Sequence, residues 1–196
     1  MQEWLNWPLS KSGMGQLIEG SNPSLSARWI NSLYERFYLY LRIIMNILII
    51  TVGKKIDDNY KKLILDYEKR IKHQVNIEWC FIANSGLEQK VARTQESSCM
   101  ASKIKKDDYT ILLDERGKMV SNEELAGIIK ESSSKYKRIV FIIGGAYGVD
   151  DTLRKNVNYI LKLSDLVFPH EIVRLILSEQ IYRSIMILNN HPYHHK

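Results

Sequence analysis

Apolar positions along this chain fall into two regimes, short unbroken runs and longer stretches where they recur every third or fourth residue. Asn46–Val52 (NILIITV) is an unbroken, β-branched run closed by Gly53. Such a run predicts a strand covered on both faces. Tyr60, Leu63, Ile64, Tyr67 and Ile71 then recur at helical spacing, with Lys61, Lys62, Asp66, Lys69 and Arg70 facing out. Val75–Ile82 reads as a second strand. Ser85-Gly86 opens a polar helix to about Ile104, whose apolar stripe (Leu87, Val91, Met100, Ile104) is thin. Tyr109–Leu113 is a third strand, ended by Asp114–Lys118 with a turn at Gly117. Ser121 and Glu124 have the spacing of a capping box at the head of a helix through Ile129. Arg138–Ile143 is a fourth strand. Strands alternating with helices predict an α/β fold with a mainly parallel sheet.

The stretch from Arg138 to Arg183 organises the rest. After the fourth strand comes Gly144-Gly145-Ala146-Tyr147-Gly148, then a helix from about Val149-Asp150. Glycines at the carboxyl end of a parallel strand let a ligand approach the backbone, although the same residues also serve a plain tight turn. Neither the dinucleotide fingerprint nor the phosphate-loop motif is present. Leu163–Phe168 is an apolar segment broken by Pro169-His170, and by itself it reads as core before cofactor box. The helix that follows carries a broad apolar face (Ile172, Val173, Leu175, Ile176, Ile181, Ile185), which suggests burial against a partner as well as the sheet. Glu171, Arg174, Glu179 and Arg183 read as its solvated decoration.

Composition narrows the class. A chain of 196 residues, 45% hydrophobic, has material for one domain with a real core. The net charge of +6 favours an anionic partner such as nucleic acid. Cys80 and Cys99, without metal-ligand spacing, read as reduced thiols of a cytoplasmic protein. The longest apolar stretch, Leu39–Val52, is interrupted by Arg42 and Asn46 and falls short of a membrane span. No secretory pattern opens the chain.

Residues 1–44 differ from the rest. They hold Trp4, Trp7 and Trp29, are punctuated by Gly13, Gly15, Gly20 and Pro23, and show little periodicity before a short helical pattern from Trp29. Glu19–Ser24 (EGSNPS) is what the T-arm of a tRNA gene yields when translated, so the expected start of the functional protein is Met45. The alternatives are a genuine extension or a transit peptide, for which Arg28, Arg36 and Arg42 speak. The remaining body keeps a net charge of about +5, since the extension holds four basic and three acidic residues.

The carboxyl-terminal run is Asn190-His191-Pro192-Tyr193-His194-His195-Lys196. Its histidines lack cysteine or acidic companions, so no metal is expected. A basic tail with a tyrosine fits RNA, the ring stacking on a base and the cations meeting phosphate.

From Met45 onward the chain resembles the RlmH family of SPOUT methyltransferases. The matching pieces are Ile49–Lys54, Tyr67–Arg70, Leu113–Lys118, Phe141–Gly145 with Gly148, Phe168–His170 with Val173-Arg174, Glu179–Arg183, and the closing Asn190–His194. The resemblance implies a deep trefoil knot in the carboxyl-terminal third of the α/β fold, an exception to the near-absence of knots. It implies S-adenosyl-L-methionine bound by Leu113, Gly144 and the loop Leu163, Ser164, Asp165, Leu166, Val167 and Phe168. It implies a homodimer that methylates N3 of a pseudouridine in 23S rRNA (helix 69) of the assembled 70S ribosome.

N3 of a uracil-type ring carries a proton at neutral pH, so a proton acceptor is needed. Candidates are His170, Glu179, His191 and His194, with Arg174 or Arg183 to stabilise charge on the ring and Tyr193 to stack on it. Two other classes stay open: a non-catalytic ribosome-binding factor of this fold, and an α/β enzyme binding a different nucleotide at Gly144-Gly145.

Overall fold

A strand that is apolar at every position is stable only where both its faces are covered, and that requirement sets the architecture. The computed structural model of the protein describes residues 44–53 and 56–191. Within them the chain runs β1 (Met45–Val52), α1 (Asp58–Ile71), β2 (Val75–Ile82), α2 (Gln89–Ala101), β3 (Asp108–Met119), α3 (Asn122–Lys135), β4 (Arg138–Ile143), α4 (Asp151–Lys155), β5 (Tyr159–Lys162) and α5 (His170–Leu188). The five strands make one sheet in the order β2-β1-β4-β3-β5, and every neighbouring pair is parallel.

Successive strand residues point to opposite faces, so these runs feed two cores at once. Ile47, Ile49, Ile111, Ile139 and Phe141 pack with Ile71 of α1, Leu125 and Ile129 of α3, and Leu177 and Ile181 of α5. Leu48, Ile50, Leu112, Val140 and Ile142 pack on the other face with Met100 of α2 and Leu153 of α4. The result is three layers, with α1, α3 and α5 on one side and α2 and α4 on the other.

Local chemistry sets the element ends. The Asp57 carboxylate caps α1 by accepting from the Asn59 amide at 2.9 Å. The capping box on α3 forms as its sequence predicts: the Glu124 amide donates to Ser121 Oγ at 3.1 Å, and the Ser121 amide donates to Glu124 Oε2 at 2.8 Å. At the amino edge of the sheet, Arg138 grips Asp108 through both guanidinium arms, Nε to Oδ1 at 3.0 Å and Nη2 to Oδ2 at 2.6 Å. That pair fixes the starts of β3 and β4, and contact with Asp108 holds the Arg138 guanidinium above its ordinary pKa.

Several expectations change. The helix expected from Ser85-Gly86 to Ile104 spans only Gln89–Ala101, because Gly86 sits at φ +65° in a loop that leads into it. The α3 helix runs six residues past Ile129, to Lys135. Leu63, expected on the buried face of α1, is exposed. The turn expected at Gly117 is instead a bulge inside a longer β3, since Leu113 and Lys118 both pair with Leu161 and the residues between them loop out. A Cβ on Gly117 would lie 2.6 Å from the Ile160 carbonyl oxygen, so only glycine lets β5 pass so close. The β5 strand itself is not signalled by the sequence. It is short, and its register is set by a side-chain clasp: Asn158 Oδ1 accepts from the Thr110 amide and hydroxyl, both at 2.8 Å, while the Asn158 amide donates back to Thr110 Oγ1 at 2.9 Å.

Asp108 is the buried partner of its ion pair. The substitution Asp108→Ala strands the Arg138 guanidinium and is expected to lower unfolding free energy by about 3 kcal/mol in urea titration, with an unchanged m-value.

Candidate functional site

Open parallel sheets bind ligands outside the carboxyl ends of their strands, where successive connections part company. Here β4 ends at Ile143 and turns through Gly144–Gly148, with the Gly148 amide donating to the Gly145 carbonyl at 2.9 Å. Gly148 stands at φ +69°, a conformation open to glycine at no steric cost. Gly145 is closely packed for a different reason. A Cβ there would sit 2.6 Å from Oε2 of Glu96, a buried carboxylate on α2. The other oxygen of Glu96 accepts from the Ser85 amide at 3.1 Å and the Ser85 hydroxyl at 3.3 Å. One carboxylate thus braces the loop before α2 and lies against the glycine turn.

The β3 bulge forms the next wall. Its Asp114, half-buried, meets Arg154 of α4 at 3.1 Å, and the same guanidinium donates to the Val149 carbonyl and to Asp151. A third wall is the segment from Leu163 to Pro169, between β5 and α5. Its shape comes from an ion pair between Lys162 and Asp165 and from the Leu166 amide donating to Ser164 Oγ at 2.9 Å. These walls enclose an open cleft of about 780 Å³.

All the residues expected to hold the cofactor line this one cleft: Leu113 and Gly144 at the floor, and Leu163, Ser164, Asp165, Leu166, Val167 and Phe168 along one side. The core reading of that loop holds at Leu163, which packs against the core, and fails at Leu166, 72% exposed, and Val167, 88% exposed. Apolar side chains held in solvent beside a cleft are a surface waiting to be covered. His170, the first residue of α5, lines the cleft as well.

The remaining candidates lie elsewhere. Arg174 is not solvated decoration. It is 2% exposed and donates to Thr51 Oγ1 at 3.2 Å, to the Val52 carbonyl at 2.8 Å and to Glu171 at 2.8 Å. Glu179 and Arg183 pair with each other at 2.5 Å farther along α5. That helix runs from the cleft back to the amino edge of the sheet, where Asn189 donates to Gln74 beside the start of β2 at 2.6 Å. At 1.5 Å per residue, His191 lies about 30 Å from His170. Tyr193 and His194 lie outside the described residues. Among the described residues no group of three or more His, Cys, Asp or Glu side chains is placed to hold a metal ion.

The cleft lining also holds residues that were not among the candidates, including Gln89 and Arg93 on α2, Asp114, Glu115 and Arg116 on the bulge, and Tyr147 in the glycine turn. Tyr147 was the readable one, a large ring in a turn otherwise built of glycine and alanine. The α2 residues carried no signal, because nothing in the chain indicates which face of that thin-striped helix meets the turn.

An all-parallel sheet with a glycine turn, a bulge and an exposed apolar loop around one carboxyl-edge cleft defines an α/β protein with a candidate ligand site at its strand ends. The family model described as "Predicted SPOUT methyltransferase" matches residues 45–194. The chain is similar to ribosomal RNA large subunit methyltransferase H of Dictyoglomus thermophilum, 38% identical over 153 residues, covering 77% of this chain and 100% of that protein. It is similar to the proteins of the same name from Flavobacterium psychrophilum (38%, covering 78% and 100%) and Bacillus pumilus (36%, covering 76% and 99%). The chain belongs to the SPOUT methyltransferase family, among the relatives that bear the name ribosomal RNA large subunit methyltransferase H.

Gly145→Ala drives a methyl group into the Glu96 carboxylate and is expected to cost roughly 1–3 kcal/mol in thermal or urea unfolding. Gly127→Ala is the control: it lies inside α3 with nothing within 4 Å of the new methyl, and is expected to be neutral or stabilising by about 0.5–1 kcal/mol.

Proposed function

We propose that this protein transfers a methyl group from S-adenosyl-L-methionine to N3 of a pseudouridine in 23S rRNA of the assembled ribosome, acting as a homodimer. The observation that carries the reading is the convergence of Leu113, Gly144 and Leu163–Phe168 on one cleft in a chain of this family. The cleft suits the cofactor: exposed Leu166 and Val167 offer apolar cover for an adenine, and Gly144 and Gly145 leave the backbone at the end of β4 open to a ligand. When bound, the cofactor supplies an electrophilic methyl on sulfur. The chain's own residues hold the acceptor ring in line, exclude water and take the N3 proton. His170 is the described candidate acceptor inside the cleft, and His191, Tyr193 and His194 are the candidates of the tail. We assign this activity to residues 45–196, with residues 1–44 an extension outside it; the family match starts at Met45. The trefoil knot belongs to the same reading.

The distance along α5 argues for two subunits. Tyr193 and His194 follow His191 within three residues, at most about 10 Å of extended chain, against the roughly 30 Å back to the cleft. The tail therefore serves a cleft only if a second copy lends it. The α5 helix fits that role, with Ile172, Leu175 and Ile176 only half-buried within one chain.

Purified protein, S-adenosyl-L-methionine and ribosomes lacking the modification are expected to yield one methylated pseudouridine by mass mapping of 23S rRNA. A protein that binds ribosomes but shows no cofactor heat in calorimetry is instead a binding factor. Mixing inactive Gly144→Trp with inactive His194→Ala is expected to restore activity through mixed dimers with one intact composite site; no restoration removes the shared-site assignment.

A further inference from the structure

The cleft has two unlike sides. The loop Leu163–Phe168 accounts for an apolar cofactor ring. The lining outside that loop includes Gln89, Arg93, Arg116 and Tyr147, which that role leaves unused. Tyr147 is 47% exposed although it stands in a turn whose neighbours are glycine and alanine, so its ring is not there to fill a core. Arg93 lies one helical turn beyond Gln89 on α2, so both present to the same side. Its Nε is buried and has no acceptor among the described residues. A guanidinium nitrogen withdrawn from water with nothing to donate to is costly, and a ligand oxygen would relieve it. Arg116 is held only loosely, 3.7 Å from Asp114 with its side chain 60% exposed, while Asp114 is committed to Arg154. Of the acidic side chains in the lining, Asp114 is engaged by Arg154 and Asp165 by Lys162, while Glu115, next to Arg116, is exposed.

An aromatic face, an amide and two available guanidinium groups around one cleft are the chemistry that receives single-stranded RNA: the ring stacks on a splayed base and the cations meet its phosphates. We propose that Tyr147, Arg93 and Arg116 form the RNA-receiving wall of the cleft, with Tyr147 stacking on a base at or beside the target nucleotide and Arg93 contacting a backbone phosphate. This rests on the rRNA reading above and adds to it a substrate-binding surface supplied by the same subunit that holds the cofactor. The target base enters between this wall and the cofactor loop.

The test uses the full chain with Arg93→Ala, Arg116→Ala, Tyr147→Ala and Tyr147→Phe. Three quantities are measured: affinity for S-adenosyl-L-methionine by calorimetry, direct binding to ribosomes as a function of salt, and methylation kinetics. Cofactor affinity is expected to stay within about twofold of wild type, since stacking and phosphate contacts lie on the other wall. Tyr147→Ala is expected to weaken ribosome binding and raise KM about tenfold, with Tyr147→Phe close to wild type. Arg93→Ala is expected to weaken binding and to reduce the slope of log affinity against log salt by about 0.7. Arg116→Ala is expected to do the same. Loss of cofactor affinity in step with ribosome affinity overturns the assignment, because the wall would then be a cofactor contact. Unchanged ribosome affinity and salt slope in all four variants also overturns it. Wild-type protein that binds cofactor and ribosomes yet leaves rRNA unmethylated defeats the proposed reaction. In that case the direct binding data still decide whether the wall receives RNA.

Discussion

A single buried guanidinium ties the cleft to the sheet. Arg174 sits in the second turn of α5, almost fully enclosed, and reaches the carboxyl end of β1. Taking a guanidinium out of water costs several kcal/mol unless its donors are met. Thr51 Oγ1, the Val52 carbonyl and Glu171 meet them, and the Phe81 ring lies 5.7 Å from the charge. The chain has to make room for this. Gly53 takes φ +114°, and a Cβ there would stand 3.2 Å from an Arg174 nitrogen. With Arg174 anchored, the first turn of α5 cannot drift, so His170 and the end of the apolar loop are fixed against the β1 and β4 edge. Lysine could not replace it, since a point charge cannot serve three acceptors spread around a planar fork.

The same logic of engaged polar groups runs through the site. Glu96 lies under the glycine turn and bonds Ser85, Arg154 holds Asp114 against the β3 bulge, and Lys162 pairs with Asp165 across the loop. Each satisfies a polar group at the cleft and in doing so sets the position of a wall. The roles proposed above fall to the groups left over: an exposed apolar loop, a tyrosine in a turn, and guanidinium groups with donors to spare. A methyltransferase needs little acid-base machinery beyond a proton acceptor. Its contribution is alignment, and alignment is what these braces supply.

The length of α5 connects architecture to assembly. The helix begins at the cleft and ends at the opposite edge of the sheet, so its two ends cannot serve one site within a chain. The proposed dimer resolves that separation, and the half-buried apolar residues of α5 offer it a surface.

Much of the fold was legible from sequence, for a definite reason. Strands buried on both faces must be apolar throughout, so β1, β2 and β4 announce themselves, and Ser121 with Glu124 marks the head of α3 by a rule that acts over four residues. The cofactor side of the cleft was legible only as three separate pieces, and the resemblance joined them. What escaped was whatever depends on distant partners. The β5 strand exists because Asn158 clasps Thr110, forty-eight residues earlier in the chain. Arg174 reads as a surface charge until the fold closes over it. Leu166 and Val167 read as core until the loop is seen standing in solvent. Sequence alone determined the periodicities and caps, because those are set by neighbours along the chain. Burial, pairing and the composition of the cleft were decided only in three dimensions, because a side chain's energy depends on what the rest of the fold places beside it.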